Sequence, residues 1–229
     1  DFYPIDEVWL RFGNQIIARG ESNLLISSDI ANPRDLSTIG LQDLDDIRLN
    51  IPSILAGYNI GSLKQEVIVF LDEKRNKVAR SGTAFDPAAA FLGASIVTNV
   101  SPARHNISYA LRNKMLLSGL ELDLSLGEYN NKQLSTLSSS VSGNVTTLVT
   151  QQDRILFVGL NGNIVLSDFV LKFDTSHKKG KRFPGSNPLS GPWSEHEVSE
   201  FSVGADYSGF NDLSINVELA NAYIHKHNM

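Results

Sequence analysis

Apolar and polar side chains alternate with a period of two through much of this chain. The cleanest stretch is Leu120, Leu122, Leu124 and Leu126, with Glu121, Asp123 and Ser125 between them. On a strand this puts the leucines on one face and the polar groups on the other. The expectation is that the leucines are buried and that Glu121 and Asp123 face water. Val8-Leu10-Phe12, Ile47-Leu49-Ile51, Ile107-Tyr109-Leu111 and Leu213-Ile215-Val217-Leu219 repeat the pattern. Val67 to Leu71 and Ile155 to Val158 are apolar at every position, as suits a strand covered on both faces. Leu24 to Ile26 reads as a further short strand, and Gly13-Asn14 as the turn of a first hairpin.

The central stretch is Arg154 to Thr175. Two apolar runs meet there at Asn161-Gly162, a dipeptide that favours a tight hairpin turn with Gly162 at positive φ. Beyond it Ile164 and Leu166 share one face, whereas Phe169, Leu171 and Phe173 have the opposite parity. The phase slips at Ser167-Asp168, which predicts a bulge in a long, bent hairpin. One short helix is expected over Phe85 to Gly93, with Asp86 as its cap and Pro87 at its first position. Ala31 to Asp46, the serine-rich residues 130–144 and the proline-rich His177 to Trp193 read as exposed loops. About ten strands with one short helix predict an all-β fold, an antiparallel β-sandwich or jelly roll with long loops, formed by residues 1–229 as a single domain.

Charge and composition narrow the function. With 25 acidic and 20 basic residues the net charge is −5, which disfavours a general nucleic-acid binder. Cysteine is absent, so disulfides, thiolate metal sites and cysteine nucleophiles are excluded. No apolar run approaches the ~18 residues of a spanning helix, so no membrane span is expected. The start at Asp1 suggests a processed or trimmed N-terminus.

Motifs for phosphate, dinucleotide or zinc chemistry are missing, as is a nucleophile elbow. Glu195-His196-Glu197 sets a histidine between two carboxylates, but alternation on a strand aims it away from both. His225 and His227 share a strand face without a third metal ligand nearby, and the acidic residues Asp43, Asp45 and Asp46 lack the rest of a calcium loop. No metal, no cofactor and no catalytic activity are therefore expected. The one basic run contains Lys178, Lys179, Lys181 and Arg182. These are the candidate binding residues, for RNA phosphate, another anionic ligand or a subunit contact; the plain alternative is a solvated loop.

Val67-Ile68-Val69-Phe70-Leu71-Asp72-Glu73-Lys74 resembles a segment of the thirty-kilodalton superfamily of plant-virus movement proteins. There an apolar strand ends in an aspartate closely followed by a basic residue, here Asp72 and Lys74. Gly61, Ala88-Ala89-Ala90 and the strands near Asn106 to Leu111 and Leu120 to Leu126 fall in a similar order. The resemblance implies a fold like that of viral jelly-roll capsid proteins. It also implies a structural, self-associating role in a virion or host cell, with RNA a partner that the net charge does not support. The competing expectation is a secreted bacterial β-sandwich that binds a surface, glycan or protein partner outside the cell.

Overall fold

The computed structural model describes residues 2–20, 27–38, 46–80, 82–86, 95–101, 107–143, 145–184 and 193–226. The chain is all-β, and among these residues there is no helix. Of the expected helix, Phe85 and Asp86 lie in a turn region, and 87–93 lie outside the described residues, as do Leu24 to Ile26.

Eleven strands form one sheet. Along it run β1 (Phe2–Ile5), β2 (Val8–Gln15), β4 (Ile51–Ile60), β5 (Leu63–Phe70), β8 (Ser108–Leu117), β9 (Leu120–Ser142), β10 (Val145–Leu166), β11 (Phe169–Phe183), β12 (Ser194–Tyr207) and β13 (Ile215–Ile224). Each is antiparallel to its neighbour. The strand β7 (Ser95–Val100) pairs in parallel with Val145 to Thr150 of β10, beyond the reach of β11. The short strands β3 (Asp35–Leu36) and β6 (Lys77–Val78) pair separately, also in parallel. A sandwich or jelly roll would divide consecutive strands between two facing sheets. Here each long strand pairs with the next in sequence, so the two-sheet expectation is corrected to a single meander.

The two ends of the sheet differ. Asp6-Glu7, Gly61-Ser62, Ser118-Gly119 and Ser167-Asp168 are two-residue connections on one rim. Backbone bonds tie this rim together: Asn59 N to Glu7 O, Leu116 N to Ser62 O, Val165 N to Gly119 O and Ser208 N to Asp168 O, all at 2.8–3.0 Å. The connections from β2 to β4 and from β5 to β8 leave from the other rim, and β9 and β10 extend well past β8 there. The serine-rich residues 130–142, expected as a loop, are the far half of β9.

The central hairpin exists, but its turn is not at Asn161-Gly162. Strand β10 runs straight through that pair, with Asn161 opposite both Asp123 and Asp174. The turn is Ser167-Asp168, closed by Leu166 opposite Phe169, with Ser167 at φ +54°. The phase slip read as a bulge is the turn itself. Two residues at a hairpin tip put Leu166 and Phe169 on the same face, which reverses the parity along the chain. Gly13-Asn14 is likewise inside β2.

The alternation is as expected, but its facing is reversed. Leu124 and Leu126 are 41% and 42% exposed, whereas Asp123 is 1% exposed and Ser125 fully buried. In register, Ala56, Val67, Leu111, Leu126 and Val158 cross five strands on the outward face. Leu124, Leu160, Thr175 and Phe201 form a second such row, and Phe173, Val203 and Leu219 a third.

Gly162 is not at positive φ; it is required because a Cβ there would lie 2.4 Å from the Glu121 carbonyl oxygen. Gly162→Ala should therefore destabilise the chain by about 1–3 kcal/mol through forced strand displacement. Ser167→Gly should stabilise it by up to about 1 kcal/mol by relieving the left-handed backbone. Urea unfolding of the two variants checks both signs; with the turn at Asn161-Gly162 instead, Ser167 would lie within a strand and Ser167→Gly would destabilise.

Candidate functional site

The inward face carries the charges. Glu66, Arg112, Ser125, Gly159, Ser176 and Glu200 stand side by side on six consecutive strands. One step nearer the tight-turn rim, Lys64, Lys114, Asp123, Asn161, Asp174 and Ser202 do the same. Buried charges persist when paired or hydrogen-bonded, and most of these form ion pairs. Arg112 bridges Glu66 (3.2 Å) and Asp123, while Lys64 reaches Glu66 at 2.8 Å. Lys114 pairs with Glu121, Lys172 with Asp206 at 3.3 Å, and Lys178 with Glu200 at 2.5 Å.

The connection between β2 and β4 folds back over this face. Its apolar side chains anchor it at two places. Ile17 and Ala31 join Trp9, Ile51, Leu55, Ile68, Phe70 and Ala110 in one buried cluster. Ile30 joins Tyr129, Ile155 and Phe157 in another. Gly159 lets the segment come close, since a Cβ there would sit 3.0 Å from Ser28 Oγ. Ser27 and Ser28 then each donate to Asp174 Oδ1 at 2.6 Å. Asn32 braces the segment internally, accepting from Ile17 N and donating to Gln15 O and Leu49 O. Arg19 is buried here, and its guanidinium nitrogens make no hydrogen bond among the described residues. Burial lowers its pKa to about 10, with the nearby Arg112 charge adding to the effect.

Between the fold-back and the wall lies a cavity of about 270 Å³, lined by Asp29, Arg34, Lys132, Lys178, Lys181 and Glu200 among others. Its roof is clasped by β3 and β6: Lys77 N donates to Arg34 O at 2.9 Å, and Lys77 Nζ to Asp35 Oδ2 at 2.6 Å.

The basic run is not a loop. It lies within β11, which continues to Phe183, and the structure splits it between the two faces. Lys178 points inward to Glu200, while Lys179 is outward and exposed, 3.5 Å from Glu197. The register shifts at Gly180, whose φ is +98°. Beyond it Lys181 lines the cavity, and Arg182 pairs with Asp153. Two of the four expected residues thus share the cavity; Lys179 and Arg182 do not line it. His196 bonds Ser194 Oγ (2.7 Å) and His225 O (3.0 Å). No group of three His, Asp or Glu able to hold a metal occurs among the described residues, and Asp43, Asp45 and His227 lie outside them.

Glu66, Arg112, Asp123, Lys172 and Asp174 were not legible as a site. Their signal was charge repeating on one parity of successive strands, with no local motif to mark it.

No family model and no curated protein matches the chain. Solved structures do. The outer-membrane-expressed OmpT of Vibrio cholerae is similar with a TM-score of 0.54 at 12% identity, over 98% of this chain and 58% of that one. A loop L8 deletion mutant of OmpT, an outer membrane protein of the same organism, gives 0.53 at 12% identity, over 97% and 61%. In-vitro folded OmpT gives 0.50 at 12%, over 96% and 56%. The chain spans about three-fifths of the length of these proteins. At this identity the likeness is one of fold, to an outer-membrane β-protein. It corrects the resemblance to viral movement and capsid proteins, and with it the expected virion or host-cell location. A short apolar strand ending in Asp72 is common to many β-proteins, and the strand order that would have supported a jelly roll is absent. The bacterial alternative lies nearer to these findings.

Asp35 is held down to about 2 by the hydrogen bond from Lys77, with Ser37 adding to it. Its folded-state value is below the usual carboxylate range. The contribution of the clasp is therefore complete above about pH 4 and lost as pH falls towards about 2. Amide-exchange protection at Lys77 should fall across that window, and Asp35→Asn should abolish the dependence.

Proposed function

We propose that this chain builds part of the wall of a β-barrel spanning a bacterial outer membrane, with its apolar face in lipid and its ion-paired face towards an aqueous lumen that passes small polar solutes. The observation that carries this reading is the inverted alternation. Leu124, Leu126, Leu156, Val158 and Phe201 are exposed while Asp123, Asp174, Lys178 and Glu200 are buried. Water on the outer face would leave that apolar surface unsatisfied; hydrocarbon makes it favourable.

The dimensions agree. Along β10 the outward apolar positions run from Leu156 to Leu166. A strand of this length, ~9–11 residues, spans a bilayer core when tilted. No helix among the described residues is long and apolar enough to cross a membrane, which says nothing of strands. Aromatic side chains cluster at the tight-turn rim, where Phe169, Tyr207 and Phe210 pack at 4.7 and 5.1 Å between ring centres. Above the apolar band Tyr109 donates to Glu128, which also meets Arg154. Such girdles, with short turns at one end and long loops at the other, suit a barrel whose tight-turn rim faces the periplasm. In hydrocarbon the free edges of β1 and β13 need strands to pair with. The reading assigns the chain no catalytic chemistry.

Two measurements test it. The chain should sediment with outer membranes and, folded into liposomes, give salt-dependent conductance; a chain that stays soluble without detergent would sink the proposal. Leu160→Arg, at the middle of the apolar band, should cost about 2–4 kcal/mol of stability in bilayers. A polar change at a fully aqueous surface would stay within about 0.5 kcal/mol.

A further inference from the structure

We propose that the cavity beneath the folded-back segment binds a small organic anion, a carboxylate- or phosphate-bearing solute, with Lys181 as the cation that meets it. This names a solute class for the lumen proposed above, and rests on that reading only for the route by which the solute arrives.

The argument is one of unmatched charge. Of the cations around the cavity, Lys178 is neutralised by Glu200 at 2.5 Å and Lys132 by Glu73 at 3.2 Å. Arg34 is matched by Asp29 at 3.3 Å. Lys181 has no carboxylate within 4.0 Å among the described residues; its ammonium lies 5.2 Å from the centre of the Phe183 ring. The cavity wall therefore carries excess positive charge in a partly desolvated place, where an anion gains most. Asn76, Asn131 and Gln133 also line the cavity and supply amide groups that orient a carboxylate or phosphate. The volume of about 270 Å³ is just under the ~300–1,000 Å³ typical of drug-sized ligands, so a compact solute fits. The Gly180 irregularity makes the site possible. Without the register shift, Lys181 would share the outward parity of Lys179.

The full chain, folded in detergent micelles, is titrated calorimetrically with succinate, with inorganic phosphate and with neutral succinamide. Saturable binding of at least one of the two anions is expected, with none of succinamide, and preference between them separates carboxylate from phosphate as the natural group. Lys181→Gln should weaken binding about tenfold or more. Lys181→Arg should retain it, and Lys179→Gln, one step away on the outer face, should leave it unchanged. Circular dichroism confirms that each variant holds its sheet. The proposal is overturned if neither anion binds the folded chain, if Lys181→Gln binds as tightly as the parent, or if Lys179→Gln weakens binding equally. Anion binding by a chain that fails to enter liposomes would remove the membrane reading and leave the site. Insertion and conductance without anion binding would do the reverse.

Discussion

Everything in this molecule depends on the ladder of backbone hydrogen bonds that joins ten strands into one meander. A side chain's face is set by its parity, and parity is set by register. Once Glu66, Arg112, Ser125, Gly159, Ser176 and Glu200 stand abreast, each neighbouring position is committed to one side or the other. On the membrane reading proposed above the same ladder has a second role, since hydrocarbon holds no water to satisfy a stray N–H or C=O. The meander meets both demands with one device.

The inner face illustrates how charge can be buried without ruin. Its carboxylates and cations come from different strands, so each pair also ties the sheet laterally: Arg112 of β8 holds Glu66 of β5 and Asp123 of β9. The folded-back segment adds apolar packing on that side, through Ile17, Ile30 and Ala31. Glycines at close approaches complete the fit. Trp9 lies against Gly57, where a Cβ would come within 2.2 Å of its ring, and Ser28 lies against Gly159. The result is a wall with a partial inner layer rather than a sandwich, and the cavity lies where that layer leaves the wall.

The basic run shows how a local irregularity distributes function. Four cations close in sequence look like one patch. On a strand they alternate, and the bulge at Gly180 then carries Lys181 to the inner side that it would otherwise miss. Charge that reads as a surface feature becomes part of an interior.

The sequence by itself determined that the chain is all-β, where many strands lie, and which residues share a face. It even contained the true hairpin tip, as the parity change at Ser167-Asp168. What it did not contain was the sign of the alternation, because a period of two is identical whether the apolar face meets a core or a lipid. Nor did it locate the turn. Asn-Gly is a local preference worth little against the pairing of Asn161 and Gly162 with strands on both sides. The segment around Ser27 and Ser28 meets the inner face at a position over a hundred residues away, Asp174. Only the tertiary structure decides such contacts, because they follow from register summed over many strands, which no local window of sequence expresses.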